Sequence, residues 1–260
     1  MKNISKVLAG LPLVLSGCGG GGSSSTALPQ SSSQDIATFK GTWANDSVQT
    51  FTTASGNTTS FGRSEGLITS DRKMAYVTGD YKAIFTEPGT STGHYYSAYT
   101  YVDTVDISFS QSGSNLEVSF RNNQREITGT IQLSQSSDYA AAVSLGDIAG
   151  TWVDDASDNY HYSNNGDWTI TFLSDGSFSG SSTTGCSTTG NFATIDGSSN
   201  EFSVSMTVTM CGNSANNPFN GTHTGIAYKT TNEIPQDMLV IMTTNGFDAT
   251  SRALIIKPTR

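Results

Sequence analysis

A chain of 260 residues with 13 Lys and Arg against 22 Asp and Glu carries a net charge of −9. That argues against binding nucleic acid through its phosphates, which takes clustered basic side chains. Only 13% of residues are charged; Ser, Thr, Gly and Asn fill the polar positions, a composition that with alternating β-branched and aromatic residues favours exposed β-sheet over helix.

The chain starts with Lys2 and Lys6 and an apolar run over residues 7–15. At nine residues this run is far shorter than the roughly 20 a membrane-spanning helix needs. Leu15-Ser16-Gly17-Cys18 ends it, and Gly19-Gly20-Gly21-Gly22-Ser23-Ser24-Ser25-Thr26 follows. This order resembles a bacterial lipoprotein signal with its lipobox. The resemblance implies a signal peptide over 1–17, cleavage before Cys18, and a palmitate-type lipid on that cysteine. Gly19 after the cysteine, where Asp would favour retention in the inner membrane, implies the outer membrane, on its periplasmic or its outer side. Without residues 1–17 the chain keeps 11 basic residues against 22 acidic, a net charge of −11. So acidic a chain is repelled by anionic headgroups, and the lipid is then its hold on the membrane. Residues 18–34 read as a lipidated Gly/Ser linker. Its flexible part has an end-to-end distance on the order of 20–24 Å.

An internal repeat comes next. Phe39-Lys40-Gly41-Thr42-Trp43 returns as Ile148-Ala149-Gly150-Thr151-Trp152. The repeat divides the chain into a first domain, 35–136, and a second, 146–260. In the first, Val105, Ile107 and Phe109 alternate with polar residues, as do Leu116, Val118 and Phe120, and then Ile127, Gly129, Ile131 and Leu133. Turn residues separate these runs. Such period-two patterning marks half-buried antiparallel strands. Asp138-Tyr139-Ala140-Ala141-Ala142-Val143 offers one helical turn as a link or plug. In the second domain, Trp168, Ile170 and Phe172 alternate with threonines, and Asp175-Gly176 predicts a tight hairpin. Phe202, Val204, Met206, Val208 and Met210 form an apolar stripe, with Glu201, Ser203, Ser205, Thr207 and Thr209 facing the other way. Met238-Leu239-Val240-Ile241-Met242 and Ala253-Leu254-Ile255-Ile256 are nearly all apolar, and the latter reads as a closing strand buried on both sides. The expected fold is all-β: two tandem, small antiparallel up-and-down barrels or rolled sheets.

The Gly-Thr-Trp copies resemble the first strand of the calycin barrels, the avidins and lipocalins, which carry Gly-x-Trp there. Asp175-Gly176-Ser177-Phe178-Ser179-Gly180 is similar to an avidin hairpin. The resemblance implies a barrel closed around Trp43 and another around Trp152. It does not extend to biotin binding, because avidin pockets use further tryptophans and Trp168 is the only other one in the chain.

Candidates for chemistry are few. With Cys18 lipidated, Cys186 and Cys211 form an even pair, which predicts a disulfide in an exported protein. His94, His161 and His223 stand in no metal-ligand spacing and beside no nucleophile motif. Asp154, Asp155, Asp158 and Asp167 crowd one loop, but their spacing fits no calcium loop. No cofactor or metal is expected. Tyr95, Tyr96, Tyr99 and Tyr101 read as one strand, on which Tyr95, Tyr99 and Tyr101 share a face. That row is the candidate contact for a ligand, although sheet packing uses tyrosine in the same way. The expected function is a non-enzymatic lipoprotein that binds a protein or carbohydrate partner. The alternatives are an envelope hydrolase with a dispersed site, and a structural or assembly lipoprotein.

Overall fold

In the computed structural model, which describes residues 35–260 apart from 46–48, 53–57, 62–63, 79–81, 123, 125–126, 155–164 and 232–236, each copy of Gly-Thr-Trp begins a sheet. Cys18 and the stretches read as lipobox and linker, residues 15–18 and 18–34, lie outside the described residues, as do His161, Asp155 and Asp158.

The first copy opens β1 (Gly41–Asn45). A separate hairpin follows, β2 (Gln49–Thr52) with β3 (Thr58–Phe61). Then come β4 (Ser64–Ile68), β5 (Met74–Thr78), β6 (Lys82–Thr86), β7 (Thr92–Ser97), β8 (Thr100–Ser112), β9 (Asn115–Asn122) and β10 (Ile127–Gln135). Successive strands from β4 to β10 pair antiparallel. β1 joins β10 on one side and β4 on the other, which closes an eight-stranded barrel. Alternation sends Trp43, Ile68, Met74, Tyr76, Ile84, Tyr95, Val105, Leu116, Val118 and Leu133 inward. These side chains fill the barrel, as interiors of this size require. They leave a space of about 10 Å³ beside Tyr76, Ile84, Tyr95 and Phe120.

A 3-10 turn, Ser137–Ala140, and a short helix, α1 (Leu145–Ile148), lead to the second sheet. Its strands are β11 (Gly150–Val153), β12 (Trp168–Phe172), β13 (Ser177–Ser182), β14 (Ser187–Thr194), β15 (Phe202–Thr209), β16 (Gly221–Thr230), β17 (Met238–Thr244) and β18 (Ala253–Ile256). They pair in chain order. The sheet curls until residues beyond β18 reach β11, where Val153 and Thr259 exchange two backbone hydrogen bonds of 2.9 Å. Trp152, Trp168, Ile170, Phe172, Phe192, Phe202, Val204 and Ile241 pack within the curl. Cys186 and Cys211 are disulfide-bonded and fully buried, and they tie the β13–β14 turn to the end of β15. Closing a loop of 25 residues constrains the unfolded chain by on the order of 3 kcal/mol. Asp175-Gly176 makes the β12–β13 hairpin, with Gly176 at φ +88°.

The repeat has a physical basis. Ile36–Phe39 is a 3-10 turn capped by Asp35; α1 is capped by Ser144 in a capping box with Asp147. Gly41 (φ +153°) and Gly150 (φ +124°) then swing the chain into the strand, through a conformation open to glycine. Two residues later the indole points inward. A buried indole N–H needs an acceptor. Trp43 Nε1 donates to the Phe39 carbonyl at 2.9 Å, and Trp152 Nε1 donates to the Ile148 carbonyl at 2.7 Å. Each short helix is thus pinned under its own sheet, with Phe39 and Ile148 in the two cores.

Both sheets belong to one compact unit, residues 33–260. Strands β4, β5, β17 and β18 are buried along their whole length, because their outward faces meet. Leu67, Val77, Ala83, Phe85 and Tyr96 from the barrel pack against Ile226, Tyr228, Val240, Met242 and Ile255 from the second sheet. Three expectations change here. The stripe of β15 stops at Val208; Met210 lies in a left-handed turn (φ +61°) and is exposed. Glu201 is completely buried. The run Tyr95–Tyr101 is two strands, since Ala98 and Tyr99 form a tight turn with φ of +47° and +59°. Tyr95 therefore points into the barrel, while Tyr99 and Tyr101 join the packing between the sheets.

Candidate functional site

The two outward faces meet through large apolar side chains, and they part where the second sheet carries small ones. Over β14, β15 and β16 the outward residues are Asn191, Ala193, Ser203, Ser205 and Thr224, too short to reach the barrel. The result is a cleft of about 430 Å³, a size typical of small-molecule sites, which favour such junctions. Its floor is the polar patch. Asn191, Ser205 and Thr224 stand side by side on three neighbouring strands. Ser203 Oγ donates to the Ala193 carbonyl at 3.3 Å. One wall comes from β5 and β6, with Ala75 and Phe85. Lys73 and Glu87 stand at the rim, and Lys73 is paired with Asp71 at 2.9 Å.

Phe247 lines the cleft from the loop between β17 and β18. Local hydrogen bonds hold this loop in shape. Asp248 accepts from the Thr250 amide (2.8 Å) and from the Thr250 and Ser251 hydroxyls, and these bonds hold its carboxyl below the usual carboxylate range. Asn245 Nδ2 donates to the Pro218 carbonyl at 2.9 Å, and Asn245 Oδ1 accepts from the Arg252 amide at 2.7 Å. The Phe247 ring stacks on His94, with centroids 3.8 Å apart. Burial lowers the His94 pKa from its ordinary 6.5, so the imidazole beneath Phe247 is neutral at neutral pH.

Buried polar contacts fix the cleft's two sides. On one, Glu201 accepts from the Ser70 amide (2.8 Å), the Ser70 hydroxyl, Ser199 Oγ (3.1 Å) and Tyr139 OH (3.3 Å). Burial and the nearby Glu201 push the Tyr139 phenol up to about 12, so it stays protonated and donates. On the other side, Tyr96 OH and Thr244 Oγ1 lie 2.7 Å apart. The Tyr99 carbonyl accepts from the Ala253 amide at 2.9 Å, and the Tyr101 amide donates to the Ser251 carbonyl at 3.2 Å. The tyrosines singled out in the sequence thus lie away from the cleft's lining: Tyr95 is in the barrel core, and Tyr99 and Tyr101 dock one sheet on the other.

His223 is completely buried in the second sheet, where its Nε2 lies 2.8 Å from the Phe219 carbonyl. Burial lowers its pKa to about 4. Among the described residues no three His, Cys, Asp or Glu side chains are grouped to hold a metal ion. Sequence reasoning missed Phe85 and Phe247. The one available signal was an aromatic residue set directly after the turn-forming pair Asn245-Gly246.

No protein family, no curated protein and no solved structure matches this chain.

Proposed function

We propose that this protein is a non-enzymatic binding module, held at the outer membrane by lipid on Cys18, whose site is the cleft between the two sheets. The cleft carries the reading: apolar walls and a neutral, hydrogen-bonding floor meet in about 430 Å³ on a braced framework. Such a site can orient a ligand through hydroxyl and amide groups without a reactive centre. The lipobox motif and the acidic, low-charge composition support the tether. Partners are the membrane, through the acyl chain, and a protein or carbohydrate ligand, with no nucleic acid.

Filling the cleft tests the site. Ala193→Trp should keep the β-type circular dichroism spectrum and abolish the resonance shifts that a mixed fragment library causes at Phe247, Ser205 and Thr224. Shifts that survive in the variant place binding elsewhere. For the tether, Cys18→Ala should release the protein from membranes or leave it unprocessed. Wild-type protein that takes up no fatty acid and fractionates as soluble would overturn that part. The non-enzymatic reading fails if the purified chain turns over a substrate and His94→Ala stops the turnover in a folded protein.

A further inference from the structure

We infer that the cleft's ligand is a neutral saccharide, an inference that rests on the cleft being a binding site. Its floor offers Asn191, Ser203, Ser205 and Thr224, groups that both donate and accept hydrogen bonds. Three of them lie in one row across adjacent strands, spaced by the ~4.8 Å between strands of a sheet. A wholly apolar occupant would cover these groups and leave them unpaired, which is unfavourable. An anionic occupant finds no free counterpart, because Lys73 at the rim is already paired with Asp71 at 2.9 Å and the chain as a whole is anionic. An anion would be repelled by that net charge. A cationic occupant finds only Glu87, solvent-exposed at the rim, where an ion pair contributes little.

The walls supply the complement. Phe247 presents an aromatic ring, partly exposed and already stacked on His94. Phe85, paired with His94 on the neighbouring strand, also lines the cleft and makes a T-shaped contact with Tyr96, centroids 5.5 Å apart. The face of an aromatic ring carries partial negative charge and attracts weakly positive C–H groups. A ligand that satisfies wall and floor together has a C–H face on one side and hydroxyls along its edge. Pyranose rings have that shape without net charge. The fixed Phe247 loop also limits the ordering cost of binding.

The test uses the full chain, with isotope labelling, and a panel of neutral mono- to tetrasaccharides built from glucose, galactose, mannose and their N-acetyl derivatives. A uronic-acid trisaccharide and the mixed fragment library run in parallel. At least one neutral member should shift Phe247, Ser205 and Thr224. Phe247→Ala should then weaken it about tenfold or more, and Phe247→Tyr should bind within about threefold of wild type. If fragments shift these residues while every neutral saccharide fails at millimolar concentration, the saccharide assignment falls and the cleft remains a site. The same holds if the uronic-acid trisaccharide binds there and the neutral panel does not. If nothing shifts them, both fall.

Discussion

Glu65, on the outside of the first barrel, and Lys257, 192 residues further on, form an ion pair sealed between the two sheets, with side chains 4% and 2% exposed. Tyr228 OH donates to the second carboxylate oxygen at 2.8 Å. Removing one partner of such a pair strands a buried charge, while removing both does not. Lys257→Met should therefore destabilise the protein by about 3–5 kcal/mol. Adding Glu65→Leu should recover most of that loss. Urea unfolding of the two variants decides it, and a neutral Lys257→Met would mean that the pair contributes nothing to holding the sheets.

We propose residues 35–136 and 146–260 as halves that fold apart. Each alone should give a β-type spectrum and a cooperative melt. Its midpoint should fall below that of the full chain, because separation uncovers the faces of Leu67, Val77 and Phe85 and of Ile226, Val240 and Ile255. Mixed, the halves should associate in size-exclusion chromatography. Two unfolded halves would place the boundary wrongly.

The repeated indole contact predicts a matched pair of effects. Trp152→Phe keeps an aromatic ring but leaves the Ile148 carbonyl without its donor. A loss of about 1–3 kcal/mol is expected, with a similar loss for Trp43→Phe at Phe39. Denaturant midpoints measure both, and a large effect at only one site would show that the two copies are not equivalent.

His223 should make the protein acid-sensitive. Its folded pKa of about 4 lies below the ordinary 6.5, so between these values the unfolded chain takes up a proton that the folded chain refuses. Stability is complete above pH 6.5 and drains as pH falls to about 4, by about 3 kcal/mol for this group. His94 acts in the same direction. In His223→Gln, which keeps a donor for the Phe219 carbonyl, unfolding free energy should depend less on pH between 6.5 and 4. An unchanged slope would assign the acid sensitivity to other groups.

The β-architecture was legible because each core face obeys period two. Trp168, Ile170 and Phe172 announce an inward row, and Asp175-Gly176 announces the turn after it. With Cys18 set aside as the expected lipid site, Cys186 and Cys211 remained as a pair, and they are bonded. The Ala98-Tyr99 turn stayed hidden, since neither residue is among those that adopt positive φ cheaply. Glu65, Glu201 and Lys257 look like solvated charges in sequence. Only the meeting of the two sheets, distant from each other in the chain, buries them. The cleft was invisible for the same reason: its walls come from residues 73–88 and 247, and its floor from 191–225. No local pattern records that these outward faces will lie opposite one another.

The Val153–Thr259 bridge closes the second sheet between residues 106 apart in the chain. Contacts of such long range form late and slow the folding of a sheet protein. Until this seam is made, the edge of β11 stays open beside the aromatic interior around Trp152 and Trp168. That unpaired edge is where a partly folded chain is most open to pairing with another strand.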